Sequence, residues 1–320
     1  MSFSPPPPPL LEIAKAESRW ALDNFSSSSS TNIPTLRFLQ WNILSADLVD
    51  GFETVDYSIW TAEHREQQLQ RHILQVAPDI VCLQEVKSTG GHLSVQSISR
   101  CLSNQLLQLA CFVPKKHKRD GVAVFYRPHK FRLLSTVAIP LYTEDSESQV
   151  ACLATFESRS DSFLFHVVST HLKSKIDRIE TRSRQVDSLL RTLRDWNLDN
   201  ENSLVILCGD LNADPGEVAI QKIQSFGFQW IYQQMEEKEE EEIGNPRFYS
   251  TSKKRLNERH SIRMLDYIFV KSSRQCSVIC KACLLPPRIG CEQDAVWIPN
   301  QEYPSDHWDV VADLFFEEEK

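Results

Sequence analysis

Several stretches of this chain are apolar almost from end to end: DIVCLQEV (79–86), SFLFHVVSTHL (162–172) and LVILCGD (204–210). A strand with no polar side must be covered on both faces, so these segments call for a sheet sandwiched between other layers. LRFLQWNIL (36–44), GVAVFYR (121–127), QVACLATFE (149–157), LDYIFV (265–270) and HWDVVADLFF (307–316) read as further strands. Helical spacing appears in 61–75, where Leu69 and Ile73 lead to Val76 and Pro78 stops the helix, in 95–110 and in the amphipathic 181–196. Strands dominate, with helices between some of them. The expected fold is an α/β sandwich of mixed sheets with helices outside, built as one domain.

The flanking segments read differently. A proline run within residues 4–9 favours an extended chain, residues 10–22 read as a short surface helix, and the serine-rich 23–32 reads as a linker. The folded domain is expected to begin near Thr35, leaving 1–34 as a partly flexible extension. Residues 235–247 carry a run of glutamates and read as a solvated acidic loop.

Composition excludes some functions. With 35 basic and 43 acidic residues the formal net charge is −8, which argues against an exposed surface for duplex DNA while allowing a local basic pocket. No apolar run approaches the ~20 residues that span a bilayer. The start of the chain lacks the charged and apolar regions of a signal peptide, so a cytoplasmic location is expected, with a mitochondrial one left open. Of the 9 cysteines, Cys82 and Cys208 lie inside apolar runs and read as buried thiols. Cys276, Cys280, Cys283 and Cys291 match zinc-ligand spacing only partially and read as structural.

One event recurs along the chain. An apolar strand ends and a polar residue suited to metal or phosphate chemistry follows: Asn42, Glu85, His171, Asp210 with Asn212, Asp266, and Asp306 with His307. Singly, each has a plain reading as a cap, a turn residue or a core histidine. Six together point to one site at the strand ends, where a sheet holds side chains rigidly. The residue types fit hydrolysis of a phosphate with a hard cation. Glu85 and Asn42 offer oxygen ligands for Mg²⁺. Asp210 can orient or deprotonate water, with Asn212 in support. Two histidines can stabilise charge on phosphoryl oxygens, and Asp266 is the expected carboxylate partner of His307. Neither a G-x-S-x-G nucleophile motif nor a glycine-rich phosphate loop occurs.

The order WN, QE, HL, GDxNA, LDYI, SDH, running from Trp41 to His307, resembles the signature of the endonuclease/exonuclease/phosphatase superfamily. That resemblance implies a four-layered sandwich, two stacked β-sheets flanked by helices, with the active site at one end of the sheets. It implies Glu85 as the main Mg²⁺ ligand (Mn²⁺ being an alternative) with Asn42 close by, and Asp306 assisting the metal or supporting its surroundings. It also implies catalytic roles for His171, Asp210, Asn212, Asp266 and His307. FVPKK, HLKSK and NQEYPSDH are similar to segments of the nocturnin branch, which also adjoins the deadenylase nucleases. By that likeness Lys115, Lys173 and Lys175 hold dinucleotide phosphates, and Arg263 lies one position from an arginine of the branch. The implied activity is removal of the 2′-phosphate of NADP⁺ or NADPH. Poly(A) shortening from the 3′ end, with Phe248 and Tyr249 as base-stacking candidates, is the alternative, and a catalytically inactive binding module the third reading. Lys175 stands where the branch has arginine, which removes a bidentate phosphate grip.

Overall fold

The computed structural model describes residues 20–22, 35–141, 149–160, 162–233, 249–256, 260–284 and 296–318. The acidic segment 235–247, Phe248 and Cys291 lie outside them.

Its strands are β1 (Trp20–Leu22), β2 (Thr35–Asn42), β3 (Ile80–Lys87), β4 (Gln108–Pro114), β5 (Asp120–Tyr126), β6 (Phe131–Leu141), β7 (Gln149–Ser158), β8 (Leu164–His171), β9 (Val205–Asp210), β10 (Gln229–Trp230), β11 (Thr251–Lys253), β12 (Ser261–Arg263), β13 (Asp266–Lys271), β14 (Cys276–Leu284) and β15 (Val310–Glu318). The helices are α1 (Ala62–Val76), α2 (Val95–Ser103), α3 (Ile179–Asp195) and α4 (Val218–Ser225). One sheet has seven strands in the order β1-β14-β15-β2-β3-β5-β4, and the other six in the order β10-β13-β9-β8-β7-β6. Each is mixed, with β2 parallel to β3 in the first and β8 parallel to β9 in the second.

Side-chain alternation along the buried strands builds the four layers. In β2 and β3, Phe38, Ile80 and Cys82 join the packing between the sheets. Their neighbours Leu39, Trp41, Val81 and Leu83 face the other way, onto Leu69 and Ile73 of α1 and Ile98 and Leu102 of α2. On the far side, Val186, Leu189, Leu190 and Leu193 of α3 and Ile220 and Ile223 of α4 join the core that includes the six-stranded sheet. Each such aliphatic side chain, fully buried, contributes about 1.5–3 kcal/mol. Thr61 caps α1 by accepting from the His64 amide at 3.2 Å. Ala77, left-handed at φ 52, closes the helix just before Pro78.

Two expectations need correction, and two features went unread in the sequence. Trp20–Leu22, read as the end of a surface helix, is an edge strand paired antiparallel with Ala282–Leu284, so the fold recruits chain well before Thr35. The helix expected over 95–110 stops at Ser103. Leu106 turns left-handed at φ 61, and from Gln108 the chain pairs with β5 instead, where Ala110, Cys111 and Val113 pack between the sheets and Leu109 and Phe112 pack on the other side, with a bulge between Leu109 and Cys111. CSVICKACLL, read only as a loose cysteine cluster, contains β14, with Cys276, Cys280 and Cys283 along a strand. Cys82 and Cys208 are free and buried as expected, but Cys111 of β4 and Cys152 of β7 form a disulfide between the two sheets. Among the described residues no helix is long and apolar enough to cross a membrane.

Candidate active site at the strand ends

Parallel pairing of β2 with β3 and of β8 with β9 sends four carboxyl ends toward the same edge of the sandwich. In the register, Asn42 lies opposite Gln84, His171 opposite Asp210, and Asp266 opposite Asp210. Backbone detours aim the side chains. A bulge between Leu83 and Val86 puts Glu85 at φ 61, and Asn212 sits at φ 50. Left-handed backbone at non-glycine residues costs about 1–3 kcal/mol each and gathers at functional sites. Gly209 has φ 149, and a Cβ there would run into the carbonyl oxygen of Thr170. Only glycine lets β9 approach β8 closely enough to set Asp210 beside His171.

Asn42 is the hinge of the carboxylates. Its amide nitrogen donates to Glu85 Oε1 at 3.1 Å and to Asp210 Oδ2 at 2.9 Å, and its oxygen accepts from the Leu44 amide. The second oxygen of Glu85 accepts from the Ser45 amide at 2.6 Å. Asp210 Oδ1 accepts from the Asn212 amide at 2.9 Å, and the Asn212 side chain donates to the Leu172 carbonyl. Buried Arg65 donates to the carbonyls of Ile43, Leu44 and Pro304, tying the loop after β2 to the loop before β15.

His307 Nδ1 lies 2.7 Å from Asp266 Oδ2, while Gln40 and Ser250 donate to the same carboxylate at 2.8 and 2.7 Å. The other ring nitrogen is 3.8 Å from Asp210 Oδ2. Burial opposes a charged imidazole, but Asp266, aided by Asp210 and Asp306, outweighs burial and Lys253 and raises His307 to about 9. His307 is therefore a cation at neutral pH. Burial lifts Asp210 to about 6, opposed by His307 and reinforced by Asp266. His171 lies 3.5 Å from Asp210 through Nε2, and burial followed by the Lys115 charge pushes it well below its ordinary value.

Asp306 is held by Lys253 at 2.7 Å with Arg255 behind it. Burial alone would raise its carboxyl, but these cations hold it well below the usual range. Lys115, 4% exposed, reaches Asp120 and His171 rather than solvent. Lys173 is half-buried, and Lys175 is exposed at φ 82; buried Arg182 donates to both carbonyls at 3.2 and 2.7 Å and pairs with Glu217. Arg263 pairs with Asp214 at 2.7 Å. Tyr249 is 3% exposed within the core beneath α1 and α2, which removes it as a base-stacking surface.

Sequence reasoning missed Gln40, Ser250, Lys253, Arg65 and Arg182 as individual supports. Gln40 left a usable signal. It is a polar residue inside an apolar strand, two positions before Asn42 and so on the same face. Arg182 and Arg65 lie on helices whose spacing reads as ordinary amphipathicity, so nothing local marks them as buried.

Asp210, Asp266 and His307 bring three donor atoms within 4.8 Å of one another. Asp266 is already saturated by Gln40, Ser250 and His307, and His307 is a cation, so this trio reads as a proton-handling unit rather than a cage. At the neighbouring strand ends Glu85 is a hard oxygen donor, which suits Mg²⁺ or a similar divalent ion; the Asn42 oxygen, expected as a second ligand, is instead taken by the Leu44 amide while its nitrogen faces Glu85 and Asp210, so Asn42 positions the carboxylates.

Residues 39–307 match the Endonuclease/Exonuclease/phosphatase family. Nocturnin of Drosophila melanogaster is 30% identical over 311 residues, covering 87% of this chain and 46% of its own. Nocturnin of Xenopus laevis is 30% identical over 308 residues, covering 92% of this chain and 76% of its own. The chain thus spans about half the length of the fly relative and three quarters of the frog one. Among solved structures, the human Nocturnin catalytic domain with bound sulfate superposes with a TM-score of 0.67 at 27% identity, covering 89% of this chain and 96% of that one. ANGEL2, a 2′,3′-cyclic phosphatase, superposes at 0.72 with 19% identity over 93% of this chain and 98% of that one, a likeness of fold. The chain belongs to the endonuclease/exonuclease/phosphatase family, whose enzymes are hydrolases dependent on divalent metals, and within it is similar to the nocturnins.

Proposed function

We propose that this chain hydrolyses the 2′-phosphate of NADP⁺ and NADPH with the help of Mg²⁺. The supporting observation is a cationic ring around an anionic core. Lys115, Lys118 and Lys253 all act on His171, and Lys253 and Arg263 feel the Asp210 charge, in a protein of net charge −8. Lys115, Lys253 and Arg263 are each held by a carboxylate, Asp120, Asp306 and Asp214, and cations placed in this way around one site suit a compact polyanion that competes for them. The loop presenting Lys173 and Lys175 begins two residues after His171, within reach of the rest of a dinucleotide.

In this reading Glu85, steadied by the Asn42 amide nitrogen, would hold the ion, which when bound would neutralise charge on the phosphoryl group. Asp210 accepts the proton of the attacking water, with Asn212 bracing its geometry. His307, kept cationic by Asp266, donates to a phosphoryl oxygen as negative charge grows there, and His171 contacts the same group from the β8 side. Asp306 is held by Lys253 and keeps His307 in a negative field. Lys173 and Lys175, with Arg263 further along the rim, meet the remaining phosphates. The proton released on attack ends on Asp210, which returns it to solvent, and the leaving 2′-oxygen takes a proton from a water molecule to become the ribose hydroxyl.

The full chain with Mg²⁺ and NADPH is expected to release inorganic phosphate and leave NADH, resolved by chromatography. Release no greater than that of Glu85→Ala would sink the reading. Shortening of labelled oligo(A) without attack on NADPH would keep the hydrolase and replace the substrate.

A further inference from the structure

We propose that Lys115 is a positioning residue that fixes His171 as a neutral imidazole with its proton on Nε2. The inference deepens the phosphohydrolase reading above and rests on it for its catalytic consequence. Lys115 closes the hairpin between β4 and β5: its amide donates to the Asp120 carbonyl at 2.9 Å, and its ammonium bonds to the Asp120 carboxylate at 2.5 Å. Held there, Nζ lies 3.0 Å from His171 Nδ1. The lysine and imidazole side chains are 3% and 5% exposed, so water does not compete for the contact.

An ammonium has only protons to offer. Nδ1 must therefore accept, and the ring's single proton goes to Nε2, which lies 3.5 Å from Asp210 Oδ2. Protonating Nδ1 as well would set two buried cations against each other. The other charges around His171 act in the same sense: Lys118, Lys253 and cationic His307 all disfavour an imidazolium, leaving Asp210 as the opposing group.

The two histidines of the site are thus wired in opposite ways. His307 has a carboxylate behind Nδ1 and carries charge; His171 has an ammonium behind Nδ1 and is a neutral donor. The division has a physical use. A second imidazolium within reach of Asp210 would pull its ionisation down and weaken it as a base. A neutral Nε2–H still donates to a phosphoryl oxygen. The lysine acts at the phosphate through His171, in addition to the charge it lends the site.

The test is long-range ¹H–¹⁵N spectroscopy of the full chain labelled at histidine, without substrate, with the His171 signals identified by their loss in His171→Gln. At pH 7, Nε2 is expected to be protonated and Nδ1 bare. In Lys115→Met the preference should be lost, with Nδ1 protonation appearing, and kcat should fall about 10- to 100-fold with a smaller change in KM. Lys115→Arg, still a donor, should restore the spectrum and most of kcat. A wild-type His171 that carries its proton on Nδ1, or on both nitrogens, would overturn the inference, and so would an unchanged spectrum in folded Lys115→Met. Should the methionine variant not fold, the wild-type and arginine spectra decide. Absence of NADPH turnover sinks the function reading alone, because the spectrum needs no substrate.

Discussion

Replacing Asp266 by asparagine is the sharpest perturbation of the site. The change keeps volume and burial. One side-chain oxygen still accepts from Gln40, but an NH₂ group now stands where Oδ2 faced His307 and Ser250. A donor at that point makes His307 accept through Nδ1 and leaves the ring neutral. Burial and Lys253 then act unopposed by the nearest carboxylate, so His307 falls from about 9 to or below its ordinary 6.5. At about 1.4 kcal/mol per tenfold change in proton affinity, the imidazolium loses about 3 kcal/mol of support. At pH 7.5 less than about a tenth of the molecules retain the charged ring, and kcat falls about 100-fold. The assay is phosphate release with Mg²⁺ across pH 5–10. Wild type should lose activity on the alkaline side near pH 9, and the variant below pH 7. Stability gives a second reading. The pair stabilises the metal-free fold fully below about pH 6.5, and that contribution disappears as pH rises through about 9. The gap in Tm between wild type and variant should therefore close over that window. A folded variant that keeps the wild-type alkaline limb would refute the coupling of Asp266 to His307.

Three further outcomes are expected. Asp210 is raised to about 6 in the fold, so its ionisation costs nothing below about pH 4 and up to about 3 kcal/mol above pH 6; Asp210→Asn should raise the metal-free Tm at pH 7.5, leave it unchanged at pH 4, and abolish turnover. An equal Tm at pH 7.5 would contradict that cost. Gly209→Ala should destabilise the chain by at least about 3 kcal/mol in urea melts, since its Cβ meets the Thr170 carbonyl; a loss under 1 kcal/mol would mean that β8 and β9 are not so closely apposed. Arg182→Met, by releasing the carbonyls of Lys173 and Lys175, should raise KM for NADPH about tenfold with kcat within about threefold of wild type, and an unchanged KM would remove that loop from substrate binding.

Legibility in the sequence followed burial. Strands covered on both faces, such as β3, β8 and β9, read directly as apolar runs, and the polar residues that end them marked the candidate site. Half-covered β4, β6 and β14 mix exposed and buried residues with bulges at Leu133–Ser135 and Cys280–Ala282, so neither a period of two nor an apolar run survives in the text. Glu85, His171, Asp210 and His307 were visible because the proposed chemistry calls for those residue types. Ser250, Arg65 and Arg182 act by filling hydrogen-bond positions that exist only once distant segments meet, across separations of 16 to 239 residues for the first two. Lys115 was visible as a charge near a phosphate motif; its engagement with His171, 56 residues away, depends on β4 and β8 lying in facing sheets.

The division of labour at the strand ends has one direct measurement: anomalous scattering from crystals of the full chain grown with Mn²⁺. A single strong peak in bonding contact with Glu85 and beside Asn42, lost in Glu85→Gln, is the expected result. A peak seated instead among Asp210, Asp266 and His307, with Glu85 untouched, would contradict the assignment of ion binding and proton handling to separate groups.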